Sequence, residues 1–178
     1  VVETFSKKAS IYRHPQNRGA NSARNTGIGL AKFPYIALLD GDDEWLPGKL
    51  STHLDYMRQT GLDFSATQFA EVSEHRTRVL PRRTLGCLDV GSYIFLFGGH
   101  FSTSTLLIKS SVAKQVQFKI GLKKFQDWEY AIRLQSSGYR GDVLMNPLTI
   151  YHTVHENRIS SHIRIDLAKE FFDGIRAL

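Results

Sequence analysis

The chain holds a single cysteine, Cys87, in 178 residues. That excludes an internal disulfide and a multi-thiolate zinc site, and nothing asks for an oxidising compartment. No apolar run approaches the ~20 residues that a membrane-spanning helix needs. Val1-Val2-Glu3-Thr4 has neither the basic nor the apolar region of a signal peptide. A cytoplasmic location is therefore the expectation. The chain starts without a methionine, so it reads as a fragment or a processed product, and no internal repeat or low-complexity segment is evident. What is present is ordinary for a folded domain: 42% apolar residues, enough for a sizeable core, and 22% charged ones. Lys and Arg number 23 against 17 for Asp and Glu, a net charge of +6, which favours nucleotides, nucleic acids or acidic lipid headgroups as partners. Arg76, Arg78, Arg82 and Arg83 crowd around Pro81, as a solvated loop or an anion-binding patch.

Residues 10–14 alternate weakly and read as a short strand, followed by a helix capped at Asn21 or Ser22 and ending near Pro34. Residues 35–39 form a continuous apolar run before Asp40-Gly41, the pattern of a strand buried on both faces. Pro47 suits the first position of a second helix, with Leu50, Leu54 and Met57 on its inner face and Gly61 closing it. Beyond it come a strand over 63–72, an irregular basic stretch to about Leu88, and an apolar run over 93–97 that periodicity leaves open between helix and strand. A strand over 105–108, a helix over 125–135 and a strand over 148–151 follow. Ile163, Leu167, Phe171, Ile175 and Leu178 then mark the apolar stripe of a final helix, against the core or against a membrane or partner. The alternation of strand and helix argues for a parallel α/β sheet, with ligands at the carboxyl ends of its strands.

Asp40-Gly41-Asp42-Asp43-Glu44 packs four carboxylates into five positions directly behind the apolar run. Their mutual repulsion calls for a compensating cation or basic group. Mg²⁺ and Mn²⁺ suit such a place, because they take one or two carboxylate oxygens and complete their shells with water and substrate phosphates. A calcium loop does not fit: counted from Asp40, Trp45 falls where the glycine belongs and Ser51 where the bidentate Glu belongs. The dipole of the following helix would account for one or two acids, not four.

Three blocks carry a family resemblance: Asn17-Arg18-Gly19 with Ala23-Arg24-Asn25-Thr26-Gly27-Ile28; residues 35–50, whose acidic turn looks like a DXD motif; and Gln126-Asp127-Trp128-Glu129 with Arg133-Leu134. With Tyr151 and His155 they make the chain, from about residue 10 to 160, closely similar to the inverting family 2 glycosyltransferases of the GT-A fold. The resemblance implies a Rossmann-like mixed α/β sheet flanked by helices. It also implies transfer of a sugar from a nucleotide-diphosphate donor to an acceptor hydroxyl, with inversion and with Mn²⁺ or Mg²⁺. The usual setting of such enzymes is polysaccharide or cell-surface glycan synthesis, on a glycan or lipid-linked acceptor, with the protein peripheral at the inner membrane face.

By resemblance, Asp42 ligates the metal, Asp40 touches the donor ribose or a metal-bound water, and Asp43 stands behind them. Asp127 is the base. Gly19, Arg24 and Asn25 lie beside the donor nucleotide, and His155 reaches the metal or the diphosphate. Gln126 departs from the family's usual Glu. Without the family pattern, Asp127 would read equally well as a cap or dipole partner of its helix, Arg24 as a surface ion pair and His155 as a surface histidine. Trp45 and Trp128 suit either sugar stacking or core packing.

The same resemblance expects two strands ahead of Val1, so the chain reads as an N-terminally incomplete catalytic domain in which the donor base loses much of its pocket. Its parts are the remainder of the nucleotide half over 1–62, the acceptor half over about 63–160 and a C-terminal helix over 161–178. The rival readings are a Mg²⁺-dependent phosphohydrolase and a basic nucleic-acid-binding module. The first lacks the usual residues after Asp42, and the second is at odds with an acidic principal motif, so no nucleic-acid partner is expected.

Overall fold

Strand β3 (Phe64–Val72) is the spine of a six-stranded sheet, and its first four residues are all buried. The computed structural model describes residues 9–152 and 171–175. On one edge β3 pairs in parallel with β6 (Gly141–His152). On the other it pairs antiparallel with β5 (Leu107–Lys109) and, further along, with β4 (Thr77–Leu80). β1 (Tyr35–Ala37) runs antiparallel to β5, and β2 (Asp43–Trp45) antiparallel to β6. The sheet is therefore mixed, with one parallel pairing, where bare alternation of elements points to a parallel one. Such alternation records order along the chain but not direction across a ladder.

Side chains leave β3 in alternate directions. Phe64 and Ala66 join the main core with Tyr93 and Ile94 of α3 (Val90–Phe97) and Tyr130 and Leu134 of α5 (Gln126–Ser136), all buried. Ser65 instead meets α2 (Lys49–Thr60), accepting or donating at 2.6 Å to His53 Nε2. α1 (Ala20–Leu30) and α4 (Ser110–Gln115) pack together beside β1. Gly141 stands opposite Phe64 in the β3–β6 register, where a Cβ would lie 2.2 Å from the Phe64 ring. Gly141→Ala is expected to destabilise the fold by about 1–3 kcal/mol through overpacking, read as a lowered midpoint in a thermal melt followed by far-UV circular dichroism.

The β3–β6 ladder shifts register around Gln68 and Pro147. Pro147 has no N–H to offer the ladder, and the bulge that accommodates it bends the strand pair. Beyond the bulge, residues 69–72 and 149–152 continue the same sheet, and β2 is added to the edge of β6 there.

Several expectations are corrected. Residues 10–14 form no strand: Ile11 and Tyr12 are exposed, and among the described residues no neighbouring strand supplies a ladder. β1 is three residues long and half-buried with Leu39 exposed, because among the described residues it has a neighbour on one edge only. α2 begins at Lys49, after Gly48 in the left-handed conformation, which leaves Pro47 in the preceding turn. Its buried face is Lys49, His53 and Met57, while Leu50 is exposed. The basic stretch contains β4, where Arg78 pairs with Glu71 across the ladder. The run over 93–97 is helical, with Asp89 Oδ1 capping it by accepting the Ser92 N–H. Of the last helix, residues 171–175 are helical and Phe171 is buried against Phe95 and Phe125. Ile163, Leu167 and Leu178 lie outside the described residues.

Candidate active site

Gly19 opens α1 with φ +81°, a left-handed value that suits glycine although a Cβ there would meet nothing. Two amides then fix the helix to the segment before α5. Asn21 donates to the Lys119 carbonyl at 2.7 Å. Asn25 both donates to the Phe118 carbonyl and accepts from the Phe118 N–H at 2.8 Å. The Asn25 amide thus serves the backbone of 118 and holds α1 in place next to the site.

The next turn carries Arg24. Its Nη2 donates to both carboxylate oxygens of Asp40, at 2.8 and 2.9 Å, and its Nη1 donates to Asn21 Oδ1 at 3.0 Å and to Gln126 Oε1 at 2.7 Å. One guanidinium therefore joins three stretches that are remote in sequence: α1, the acidic turn after β1 and the start of α5. Its planar fork of donors is what permits this, and a lysine could not reproduce it. The positive charge also answers the crowding of acids in the turn.

The acidic turn is held from behind by Ser104, a fully buried residue of the 3₁₀ turn Thr103–Thr105. Its hydroxyl donates to Asp43 Oδ2 at 2.5 Å and accepts the Asp40 N–H at 3.0 Å. Its carbonyl accepts the Trp45 indole N–H at 2.7 Å. Asp43, read as part of a turn, begins β2 instead, opposite Tyr151 of β6. Asp42 is exposed at the tip, and Glu44, also exposed, lies 3.7 Å from His152 Nε2.

Asp127 occupies the first turn of α5, half-buried, with Oδ1 accepting the Trp128 N–H at 3.0 Å. The residue capping that helix is Phe125, not Asp127. Phe125 adopts φ +56°, a conformation costly for a bulky side chain. Its ring stacks on Trp128 at 5.2 Å between centroids. Desolvation pushes the Asp127 carboxyl up to about 6; the Trp128 N–H and the Arg24 charge oppose that rise, and Asp40 adds to it. Asp127 therefore lies within the electrostatic reach of both Arg24 and the acidic turn.

Both tryptophans are engaged by the protein itself: Trp45 through Ser104, and Trp128 through Phe125, Phe95 and His100. His155 lies outside the described residues. Among the described residues no three His, Cys, Asp or Glu side chains converge as a ready-made metal cage. An all-oxygen donor set of one or two carboxylates still fits a hard cation that draws its other ligands from a diphosphate and water. Asp42, exposed at the tip, is placed where it could offer such an oxygen, and Arg24 engages both oxygens of Asp40.

A groove of about 620 Å³ runs between α1 and β1, floored by the small side chains of Ala20, Ala23, Gly27 and Ala31, and reaches Arg24, Asp40 and Gly41. Ser104 was invisible to sequence reasoning. The available signal was a run of four hydroxyl residues, Ser102-Thr103-Ser104-Thr105, set between Phe101 and the apolar run that starts at Leu106. No helix among the described residues is long and apolar enough to cross a membrane.

Residues 1–124 match the family model described as glycosyl transferase family 2. The amylovoran biosynthesis glycosyltransferase AmsB of Erwinia amylovora is 30% identical over 139 residues, which cover 74% of this chain and 46% of AmsB. The succinoglycan biosynthesis protein ExoO of Rhizobium meliloti (strain 1021) is 26% identical over 163 residues, covering 85% of this chain and 47% of ExoO. The chain thus spans about half the length of these curated relatives. Among solved structures, S. aureus TarS 1–349 in complex with UDP-GlcNAc is similar with a TM-score of 0.74 at 16% identity, over 97% of this chain and 52% of that one. That likeness is one of fold, and it agrees with the GT-A arrangement of a mixed sheet between helices. With more than half of its residues matched by the family model, the chain belongs to glycosyl transferase family 2.

Proposed function

We propose that this chain forms the catalytic centre of an inverting, divalent-metal-dependent glycosyltransferase acting in polysaccharide or cell-surface glycan synthesis. The single observation that carries the proposal is the Arg24 bridge, which ties the acidic turn at Asp40 to Gln126, the neighbour of Asp127. Donor and acceptor chemistry need two differently charged places in one cleft, and this bridge is the link between them. Residues up to 62 form the donor side, with Gly19, Arg24, Asp40, Asp42 and Asp43 around the nucleotide diphosphate and Asn25 fixing the helix beside it. The described residues from 63 to 152 form the acceptor side. The biosynthetic setting is supported by the names of AmsB and ExoO, and a nucleotide-sugar donor by the UDP-GlcNAc that TarS binds.

Mn²⁺ or Mg²⁺, held by Asp42 with Asp40 beside it, would supply neutralising charge at the departing diphosphate. Arg24 adds fixed positive charge beside that position. Asp127 accepts the proton of the acceptor hydroxyl as its oxygen attacks the anomeric carbon from the face opposite the leaving group. A carboxyl pushed up to about 6 is well matched to that task, being ionised near neutral pH yet basic enough to take a proton.

The enzyme works at the cytoplasmic face of a membrane on a glycan or lipid-linked acceptor. Exposed Phe95, Leu96 and Phe97 at the end of α3, with the Arg83 guanidinium 4.8 Å from the Phe97 ring, support attraction to acidic headgroups.

The direct test is proton NMR of the protein with Mn²⁺ and a panel of nucleotide-diphosphate sugars and acceptors. An α-linked donor is expected to give a β-linked product with release of nucleoside diphosphate, and EDTA to stop the reaction until Mn²⁺ is restored. A retained anomeric configuration, or full turnover in EDTA, would refute the reading.

A further inference from the structure

Lys49 is 2% exposed and His53 fully buried, both on the inner face of α2, where an apolar side chain would pack as Met57 does. Removing an ammonium group from water costs several kcal/mol unless an anion or good hydrogen bonds compensate. No carboxylate stands within salt-bridge distance of Lys49 among the described residues. Its Nζ lies 2.6 Å from His53 Nδ1, donates to the Thr105 carbonyl at 3.2 Å and sits 5.6 Å from the centre of the Trp45 ring. As the ammonium can only donate, His53 Nδ1 accepts, and Nε2 carries the proton and donates to Ser65 Oγ at 2.6 Å. Burial pushes Lys49 down to about 7 and His53 lower still, in keeping with a neutral imidazole. Core packing alone does not call for this arrangement.

The contacts of Lys49 converge on the supports of the acidic turn. Thr105 belongs to the same 3₁₀ turn as Ser104, whose hydroxyl holds Asp43 and the Asp40 N–H. Trp45 leaves the acidic turn along β2 and is tied to the Ser104 carbonyl, which Thr149 Oγ1 also approaches at 3.4 Å. Lys49 thereby touches both the segment beneath the carboxylates and the strand leading away from them.

We propose that Lys49, oriented by His53, is a positioning residue that fixes the acidic turn through the Thr103–Thr105 turn and the Trp45 ring, so that Asp40, Asp42 and Asp43 meet the donor diphosphate in one geometry. This rests on the glycosyltransferase reading of the acidic turn. The mechanical part of the claim is independent of that reading.

The test compares the protein with Lys49→Met and with the double variant Lys49→Met/His53→Leu, which also removes the imidazole that Lys49→Met leaves without its partner, while the Ser65 hydroxyl and the Thr105 carbonyl lose theirs. Backbone amide exchange is read by NMR at Asp40, with the β3–β6 ladder as an internal reference. Asp40 is expected to exchange at least tenfold faster in both variants while the ladder amides are unchanged. The Mn²⁺ concentration for half-maximal turnover is expected to rise about tenfold, with kcat changed much less. Both variants are expected to melt lower, because buried polar groups lose their partners in each, and neither Asp40 protection nor Mn²⁺ dependence is restored in the double variant. Unchanged Asp40 exchange in either folded variant overturns the proposal, as does full recovery of Mn²⁺ dependence in the double variant, which would leave Lys49 a purely structural residue. If the unaltered protein shows no transfer at all, the functional reading fails, and the Asp40 exchange still decides the role of Lys49.

Discussion

Asp127→Asn is expected to lower kcat by roughly 10²–10⁴-fold, the usual contribution of a positioned general base, with the KM for donor nearly unchanged. The substitution keeps the shape of the side chain, and the amide oxygen can still accept the Trp128 N–H. What it removes is the ability to take a proton. The pH dependence gives a second measure. Desolvation sets the carboxyl near 6, and the ionised form is the active one, so kcat/KM should rise with pH up to about 6 and level off above it. The Asn variant should lack that limb.

Stability moves the other way. A carboxyl whose pKa is higher in the folded than in the unfolded state makes a contribution that is lost as pH rises from about 4 to about 6. Asp127→Asn should therefore melt higher than the parent at pH 7. An inactive variant that is also more stable is the signature of a catalytic carboxylate; loss of both activity and stability would count against the assignment.

Arg24→Met is expected to reduce kcat/KM by about 10²-fold, on the scale of losing one preorganised charge donor. It should also cost about 1–3 kcal/mol of stability. Four charge-assisted contacts are lost at once, two to Asp40 and one each to Gln126 and Asn21, and the figure is held down because the Asp40 side chain keeps 37% of its exposure and can rehydrate. The sign of the accompanying pH shift follows from the charges. Arg24 holds the Asp127 carboxyl down, so without it that carboxyl moves further up and the acid limb moves to higher pH. Arg24→Lys should restore only part of the rate, since a single ammonium cannot reach Asp40 and Gln126 together. A pH–rate profile of the variant superimposable on that of the parent would remove Arg24 from the electrostatics of the base.

The elements that the sequence made legible are those whose signal is local. Nine residues of β3 and eleven of α5 lie within a residue of their expected bounds, and Gly61 closes α2 as its chemistry requires. The misreadings concern partners far along the chain. Residues 10–14 alternate as a strand does but find no neighbouring strand among the described residues. Asp43–Trp45 does become a strand, because β6 arrives beside it from a hundred residues further on. The leucines of α2 mark the wrong face, because Lys49 and His53 can be buried only once Thr105 and Ser65 stand ready to bond them.

For the candidate site the division is similar. The acids and Asp127 announce themselves by crowding and by motif. Ser104 is an unremarkable hydroxyl sixty residues from the turn it supports. Gln126, a departure from the family pattern in the sequence, proves to be a neutral acceptor for Arg24. A glutamate there would add a second anion competing for the same guanidinium, so the amide leaves more of that charge to Asp40.

That last arrangement also bears on the order in which reactants assemble. With Asp40 already neutralised by its arginine, the turn attracts a bare dication far less than its row of carboxylates implies. A dication chelated by a diphosphate carries most of its own oxygen shell and asks the protein for a single further ligand. Metal and donor should accordingly arrive as one complex, with each raising the apparent affinity for the other.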